Sequence, residues 1–217
     1  MELAARILEM EAEWLKDIPQ ETLCVLGSVT RDLIQKRQAA EATSAGSLFP
    51  DAVLPNGRQQ PIDLAQLRSK GPLLVSFYRR NWCTYCDLEL KAYLQLLPRI
   101  REKNATLVAI SPQRIDPRLP DQPGLVVLSD RNNQLAESLG LAFTLPQAVQ
   151  QLYMEFGFNL PVINGDNSWR LPIPATYIVA PNGSIQYAYL NADPRQRAEP
   201  ELVLRQLDLP NPTTAEV

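Results

Sequence analysis

The apolar positions change period along the chain, and the changes divide it into elements. Leu3, Ile7, Met10 and Trp14 recur every three or four residues with charged residues between them, one helix face, until Asp17-Ile18-Pro19 interrupts it. A second helix is predicted over roughly Gln20 to Ala42, with Leu23, Leu26 and Leu33 on one face. Thr43-Ser44-Ala45-Gly46 is small and polar, as linkers are. Leu48–Leu54 and Gln60–Leu64 flank Pro55-Asn56-Gly57, which predicts two short edge strands about a tight turn. The apolar runs Leu73–Tyr78, Thr106–Ser111 and Leu125–Leu128 read as strands. Helices are expected at Cys86–Ile100, kinked or shortened by Pro98, and at Arg131–Leu139. Phe143–Leu171 reads as irregular apart from a helical piece, Pro146–Phe156, and is long for a connection. Ala175–Val179 and Ile185–Leu190 predict a hairpin about Pro181-Asn182-Gly183-Ser184. A last helix follows at Glu199–Leu207, with a frayed tail at Pro210–Val217.

This alternation of strand and helix predicts an α/β chain, a central sheet with helices on its faces. About 40 residues seldom bury a sufficient core alone, so residues 1–45 read as a helical extension of a main domain at 46–217. The extension must pack on that body or on a second subunit, which makes a homodimer an expectation.

Composition narrows the function. The chain has 217 residues, 45% of them hydrophobic and 21% charged, with a net charge of −3. No basic stretch is long enough to track a phosphate backbone, which argues against nucleic acid and anionic membranes as partners. Glu9, Glu11 and Glu13 break up the N-terminal apolar positions, unlike a signal peptide, and no run approaches the roughly 20 apolar residues of a spanning helix. A cytoplasmic protein is expected. There is no histidine, which removes Cys/His zinc sites and Ser/His or Cys/His catalysis.

Two of the three cysteines stand together, in Trp82-Cys83-Thr84-Tyr85-Cys86. A strand leading into Cys-x-x-Cys at a helix start favours thiolate, because the unpaired N–H groups of the first turn face it. Half of a zinc site is the bland alternative, but further ligands are missing and no metal is expected. Two inert buried thiols are the other. Arg79 and Arg80 read first as a solvated pair, although cations near a thiol lower its pKa. Cys24, beside Leu23 and Leu26, reads as a small core residue, and Trp82 as a rim or packing residue. Pro174 reads equally well as an ordinary strand-leading proline. The segment 143–171, with Asp166 and Trp169, is expected either to shape a rim over the cysteines or simply to pack.

The order strand, Cys-x-x-Cys, helix, strand, then Ile173-Pro174-Ala175-Thr176, an Asn182-Gly183 hairpin and a final helix resembles the thioredoxin fold. Thr84-Tyr85 is similar to the Pro-Tyr of glutaredoxins. More widely, Phe49-Pro50-Asp51, Pro55-Asn56-Gly57, Ser76-Phe77-Tyr78, Ser129-Asp130 and Asn164–Trp169 ahead of Leu171-Pro172-Ile173-Pro174 resemble the peroxiredoxin-like branch of the alkyl hydroperoxide reductase and thiol-specific antioxidant superfamily. The resemblance covers most of the chain from about Leu48 onward. Laying the sequence on that family's Pro-x-x-x-Thr-x-x-Cys puts Arg79 at the proline, Cys83 at the threonine and Cys86 at the peroxidatic cysteine. The family arginine falls at Pro174.

The resemblance implies a redox enzyme cycling a Cys83–Cys86 disulfide without a bound cofactor, its electrons coming from an external thiol of thioredoxin or glutathione type. If Cys83 attacks a substrate disulfide, Cys86 resolves the mixed disulfide. If Cys86 attacks a peroxide, Cys83 condenses with the sulfenic acid. The missing threonine and arginine favour the disulfide oxidoreductase. In that reading Pro174 is a cis-proline that, with Ile173, Trp82, Thr84 and Tyr85, contacts the substrate, and Arg79 and Arg80 give electrostatic support. The thiol peroxidase is the alternative. A third reading is a non-enzymatic redox sensor.

Overall fold

The computed structural model describes residues 2–80, 82–115 and 122–208. Its N-terminal part holds α1 (Leu3–Trp14), α2 (Gln20–Gln35) and α3 (Gln38–Glu41). The expected single helix from Gln20 to Ala42 is therefore two, broken where Arg37 takes a left-handed conformation (φ 53°). A short antiparallel pair follows, β1 (Val53–Pro55) and β2 (Pro61–Asp63). It runs into α4 (Leu64–Arg68), a helix the hydrophobic pattern did not predict. Asp63 starts it by accepting from the N–H groups of Ala65 and Gln66.

The centre of the fold is a mixed five-stranded sheet. Its strands are β3 (Leu73–Phe77), β4 (Thr106–Ser111), β5 (Leu125–Ser129), β8 (Ala175–Val179) and β9 (Ile185–Leu190), in the spatial order β5-β4-β3-β8-β9. β3 pairs in parallel with β4, and β4 with β5, while β8 runs antiparallel to both β3 and β9. Side chains alternate between the faces of a strand. Val75 and Phe77 of β3, Val108 and Ile110 of β4 and Tyr177 of β8 enter one core with Leu33, Leu64 and Val149. Leu74, Leu107 and Ile178 enter the other with Tyr93, Leu97, Ile100, Val203 and Leu204. Both faces are covered, so β3 is buried at every position.

Between β3 and β4 the chain forms α5 (Thr84–Gln95) and α6 (Leu97–Glu102). Pro98 breaks the predicted single helix, as expected, since it has no N–H to bond back along α5 and stands in the first turn of α6. After β5 come α7 (Gln134–Ser138) and then the largest departure from expectation. The region read as mostly irregular is ordered throughout. β6 (Ala142–Thr144) and β7 (Arg170–Pro172) pair antiparallel and close off α8 (Gln147–Glu155) and α9 (Leu160–Asn164). Three-residue strands are too short to show a period, which is why the pattern missed them. The last helix is α10 (Pro200–Gln206). The tail from Pro210 to Val217 lies outside the described residues. Among the described residues no helix is long and apolar enough to cross a membrane.

Candidate active site

β3 delivers Tyr78, Arg79 and Arg80 to the start of α5, and Cys83 is the cap residue before its first turn (φ −95°, ψ 98°). The Cys83 N–H donates to the Arg80 carbonyl at 2.9 Å, which fixes the approach to the helix. Cys86 is the third helical residue. It is fully buried, and Cys83 is 6% exposed, so both thiols face inward.

Donors converge on Cys86. The backbone N–H of Arg79 lies 3.4 Å from Sγ, and Arg197 Nη2 lies 3.6 Å from it. Arg197 comes from the segment between β9 and α10, and its side chain is only 3% exposed. Its Nη1 pairs with Glu89 Oε2, and its Nε–H donates to the Pro194 carbonyl at 2.7 Å. Glu89 stands one turn beyond Cys86 on α5, buried, and also accepts from Thr176 Oγ1 of β8 at 3.1 Å.

This setting separates the two thiols. Burial by itself raises both. At Cys83 the hydrogen bond to Cys86 and the Cys86 charge add to it, and the thiol is held well above its ordinary range. At Cys86 burial is outweighed by the Cys83 hydrogen bond, the charges of Arg197 and Arg79 and the Arg79 N–H, so this thiol sits well below its ordinary value. The setting therefore favours ionisation at Cys86, with Cys83 as the protonated partner that donates to it.

The other expected residues are placed as follows. Arg79 and Arg80 are buried, not solvated, at 7% and 6% exposure. Arg79 donates from Nε to the Pro172 carbonyl at 3.1 Å and lies 5.4 Å from the Phe143 ring centre, so the β6–β7 hairpin holds it beside the thiols. Arg80 turns away, donating to the Arg114 carbonyl, and its charge acts on Tyr78. Trp82 packs edge-on to Tyr153 of α8 (5.7 Å) and against Phe158 (5.7 Å), so part of the 143–171 segment does approach the cysteines. Asp166 turns inward on Ser168, and Trp169 packs on the main core. Tyr85 is half-buried and Thr84 exposed. Ile173 is wholly inside the core.

Two further expectations are corrected. No peptide bond among the described residues is cis, so Pro174 is a buried trans proline at the start of β8. Cys24 is exposed on α2 instead of lying in the core, because it falls on the helix face opposite Leu26, Val29 and Leu33, which pack on the core. Among the described residues, no group of three or more cysteine, aspartate or glutamate side chains is placed to hold a metal.

Sequence reasoning missed Arg197, Glu89 and Thr176. Glu89 was findable, since three residues on from Cys86 is the same helix face. Arg197 had no local signal, lying in the polar Asp193-Pro194-Arg195-Gln196-Arg197 loop.

A mixed sheet carrying a buried, unequal thiol pair at a strand–helix junction defines a thiol-dependent redox enzyme of the thioredoxin fold. The family model described as AhpC/TSA matches residues 45–188, and the chain belongs to that family. Solved structures agree on the fold. Similar ones include the peroxidoxin BcpB from Mycobacterium tuberculosis, at 18% identity and a TM-score of 0.56, covering 76% of this chain and 97% of that one. A cysteine-to-serine mutant of peroxiredoxin 6 from Arenicola marina is similar at 14% identity and a TM-score of 0.58, over 76% and 72%. AhpC from Mycobacterium tuberculosis is similar at 19% identity and a TM-score of 0.53, over 77% and 93%. No curated protein matches the sequence.

Proposed function

We propose that the chain is a thiol-dependent peroxidase in which Cys86 is the peroxidatic cysteine and Cys83 resolves it. One observation carries this reading: the Arg197 guanidinium and the Arg79 N–H meet at Cys86, not at Cys83. A nucleophile acts as the thiolate, and the same cations attract the negative charge that develops on a departing oxygen. The Cys86 thiolate attacks the terminal oxygen of R–O–OH and the O–O bond breaks. Cys86 becomes a sulfenic acid, and the alkoxide takes a proton from water to leave as R–OH. The Cys83 thiol then attacks the Cys86 sulfur, forming the disulfide and releasing water. An external dithiol, of thioredoxin or glutathione-linked type, returns both cysteines to thiols and is itself oxidised. Cys83 occupies the place of the family threonine, and as a donor to the Cys86 sulfur it serves in that position as well as resolving.

The disulfide-oxidoreductase reading, with Cys83 first, has less behind it. It was favoured by the missing family threonine and arginine and took Pro174 as a cis-proline, which is trans, and it needs an exposed, acidic first thiol where Cys83 is buried and raised.

Rapid-quench trapping on Cys83→Ser tests the order of attack. Hydrogen peroxide should place a sulfenic acid on Cys86 within the turnover time, and Cys86→Ser should abolish peroxide consumption. If Cys86→Ser instead accumulates a stable mixed disulfide on Cys83 with a protein disulfide, while Cys83→Ser gives no sulfenic acid, the oxidoreductase reading replaces this one.

A further inference from the structure

The N-terminal extension reaches the site through one side chain. Tyr85, between the two cysteines, donates its hydroxyl to Glu11 Oε1 of α1 at 2.8 Å. At its other end α1 is tied down by Glu199, whose carboxylate accepts from the N–H groups of Leu3 and Ala4 at 2.9 and 2.7 Å. Glu199 lies two residues beyond Arg197. The helix therefore bridges the turn that carries the cysteines and the segment that carries their arginine. Of its twelve residues only Leu3 and Ile7 are buried, and it packs along α5, the helix that carries the cysteines. Segments with few buried apolar contacts are the first to open.

The redox cycle requires some opening here. Both thiols face inward, and Trp82 and Tyr85 pack against the small buried cluster that the two cysteines form with Tyr78 and Ala109. Reduction of a disulfide needs a thiolate to reach one of its sulfurs. A small dithiol reaches a covered sulfur through local fluctuations, whereas a protein thiol needs the cover moved aside. Trp82 is held by Tyr153 and Phe158, within the body of the domain. Tyr85 is half-buried, and its hydroxyl is held from outside the domain body by Glu11 of α1, a helix with only two buried residues.

We propose that Glu11 is a positioning residue of the redox cycle: through Tyr85 it holds the cover over Cys83 and sets how readily a protein dithiol reduces the Cys83–Cys86 disulfide. This rests on the disulfide cycle of the proposed function. In the step concerned, the external thiolate bonds to Cys83 Sγ, and the S–S bond breaks with its electron pair leaving on Cys86 Sγ. The second thiol of the reductant then displaces Cys83. The dithiol ends as a disulfide, and its two protons pass to Cys83 and to solvent.

The test uses full-length protein oxidised with diamide, then reduced in stopped flow by a thioredoxin or by dithiothreitol, with tryptophan fluorescence as the signal. Loss of one ordinary hydrogen bond corresponds to about fivefold to tenfold in an opening equilibrium. Glu11→Ala is expected to accelerate reduction by thioredoxin by about that factor and to leave the dithiothreitol rate within about twofold. Glu11→Gln keeps an acceptor oxygen and is expected to restore the wild-type rate. Tyr85→Phe removes the donor, and is expected to reproduce the Glu11→Ala acceleration and add nothing to it. An unchanged thioredoxin rate in Glu11→Ala, equal acceleration with both reductants, or additive effects of the two variants would overturn the proposal. Diamide forms the disulfide whichever cysteine reacts with peroxide. Failure of the peroxidase reading therefore shows separately, as absence of sulfenic acid on Cys86.

Discussion

Arg197 lies between two buried acidic groups: Nη2 is 3.6 Å from Cys86 Sγ, and Nη1 is paired with Glu89, whose carboxyl burial raises above its ordinary range while the Arg197 charge opposes that shift. Arg79 adds a second guanidinium whose field acts on the same sulfur. Two guanidinium groups, the Cys86 thiol and the Glu89 carboxyl thus share a volume closed to solvent, where the ionised form of either acid depends on the arginines beside it. On the proposed function, catalysis and stability are linked at this one arginine.

Replacing Arg197 by Met should therefore show in two measurements. Removing a preorganised charged donor from a closed site costs about 10²–10³ in rate, which stopped-flow peroxide consumption would read. Leaving Glu89 buried without its cation costs about 3–5 kcal/mol, read from urea unfolding. The double variant Arg197→Met/Glu89→Gln should regain much of the stability and none of the rate. Recovery of both would show that Arg197 acts only as a structural partner of Glu89.

The thiol shifts fix a pH dependence. The native pKa of Cys86 is lowered, so its contribution to stability is fully present above the ordinary thiol value near 9 and is lost as pH falls through the native value. Between those limits the unfolded chain binds one more proton than the native state, and the reduced protein should grow more stable as pH rises. Cys83, whose native pKa is raised, is neutral in both states over that window and adds nothing. Comparing unfolding free energies of the wild type and Cys86→Ser across pH isolates the effect. A difference independent of pH would mean that Cys86 is an ordinary thiol. The rate of sulfenic acid formation should fall on the acid side of the same native pKa.

Arg79 joins the hairpin of the 143–171 segment to the thiols. Arg79→Lys keeps a charge and the backbone N–H to Cys86, but it loses the Nε–H bond to Pro172 and the planar contact with Phe143. A stability loss of about 1–2 kcal/mol is expected from those two contacts. The rate of Cys86 oxidation should fall by less than about tenfold, because the N–H at the sulfur remains. A much larger drop in rate would assign Arg79 a role at the peroxide itself.

How much of this was legible in the sequence follows from what each signal depends on. The five central strands were readable because Leu73–Phe77 and Ala175–Val179 are apolar at nearly every position, as strands covered on both faces must be. Cys83 and Cys86 were readable because their chemistry and spacing are local. Arg197 was not, since it reaches Cys86 from 111 residues away through a loop with no period. The direction of Arg79 and Arg80 was not readable either. Adjacent arginines look solvated until the hairpin that buries one of them is seen, and β6 and β7 are too short to announce themselves. A proline at position 79 would have had no N–H to give the sulfur, so the departure from the family pattern at that position itself supplies a donor.

Asp130 belongs to the part of the scaffold that owes nothing to the thiols. It follows β5 and is 1% exposed, and its two carboxylate oxygens accept from the N–H groups of Leu135 and Ala136, each at 2.9 Å. Those N–H groups belong to the first turn of α7, where no carbonyl of the helix can reach them. Leu135 and Ala136 in turn seal the core beneath the β6–β7 hairpin. Asp130→Ala should lower the urea midpoint by the equivalent of about 1–2 kcal/mol with an unchanged denaturant slope, the loss expected for a helix cap whose donors are buried. Asp130→Asn keeps one acceptor oxygen of the two and should lose about half as much. If the two substitutions cost the same, the carboxylate matters through its charge and not through its two hydrogen bonds.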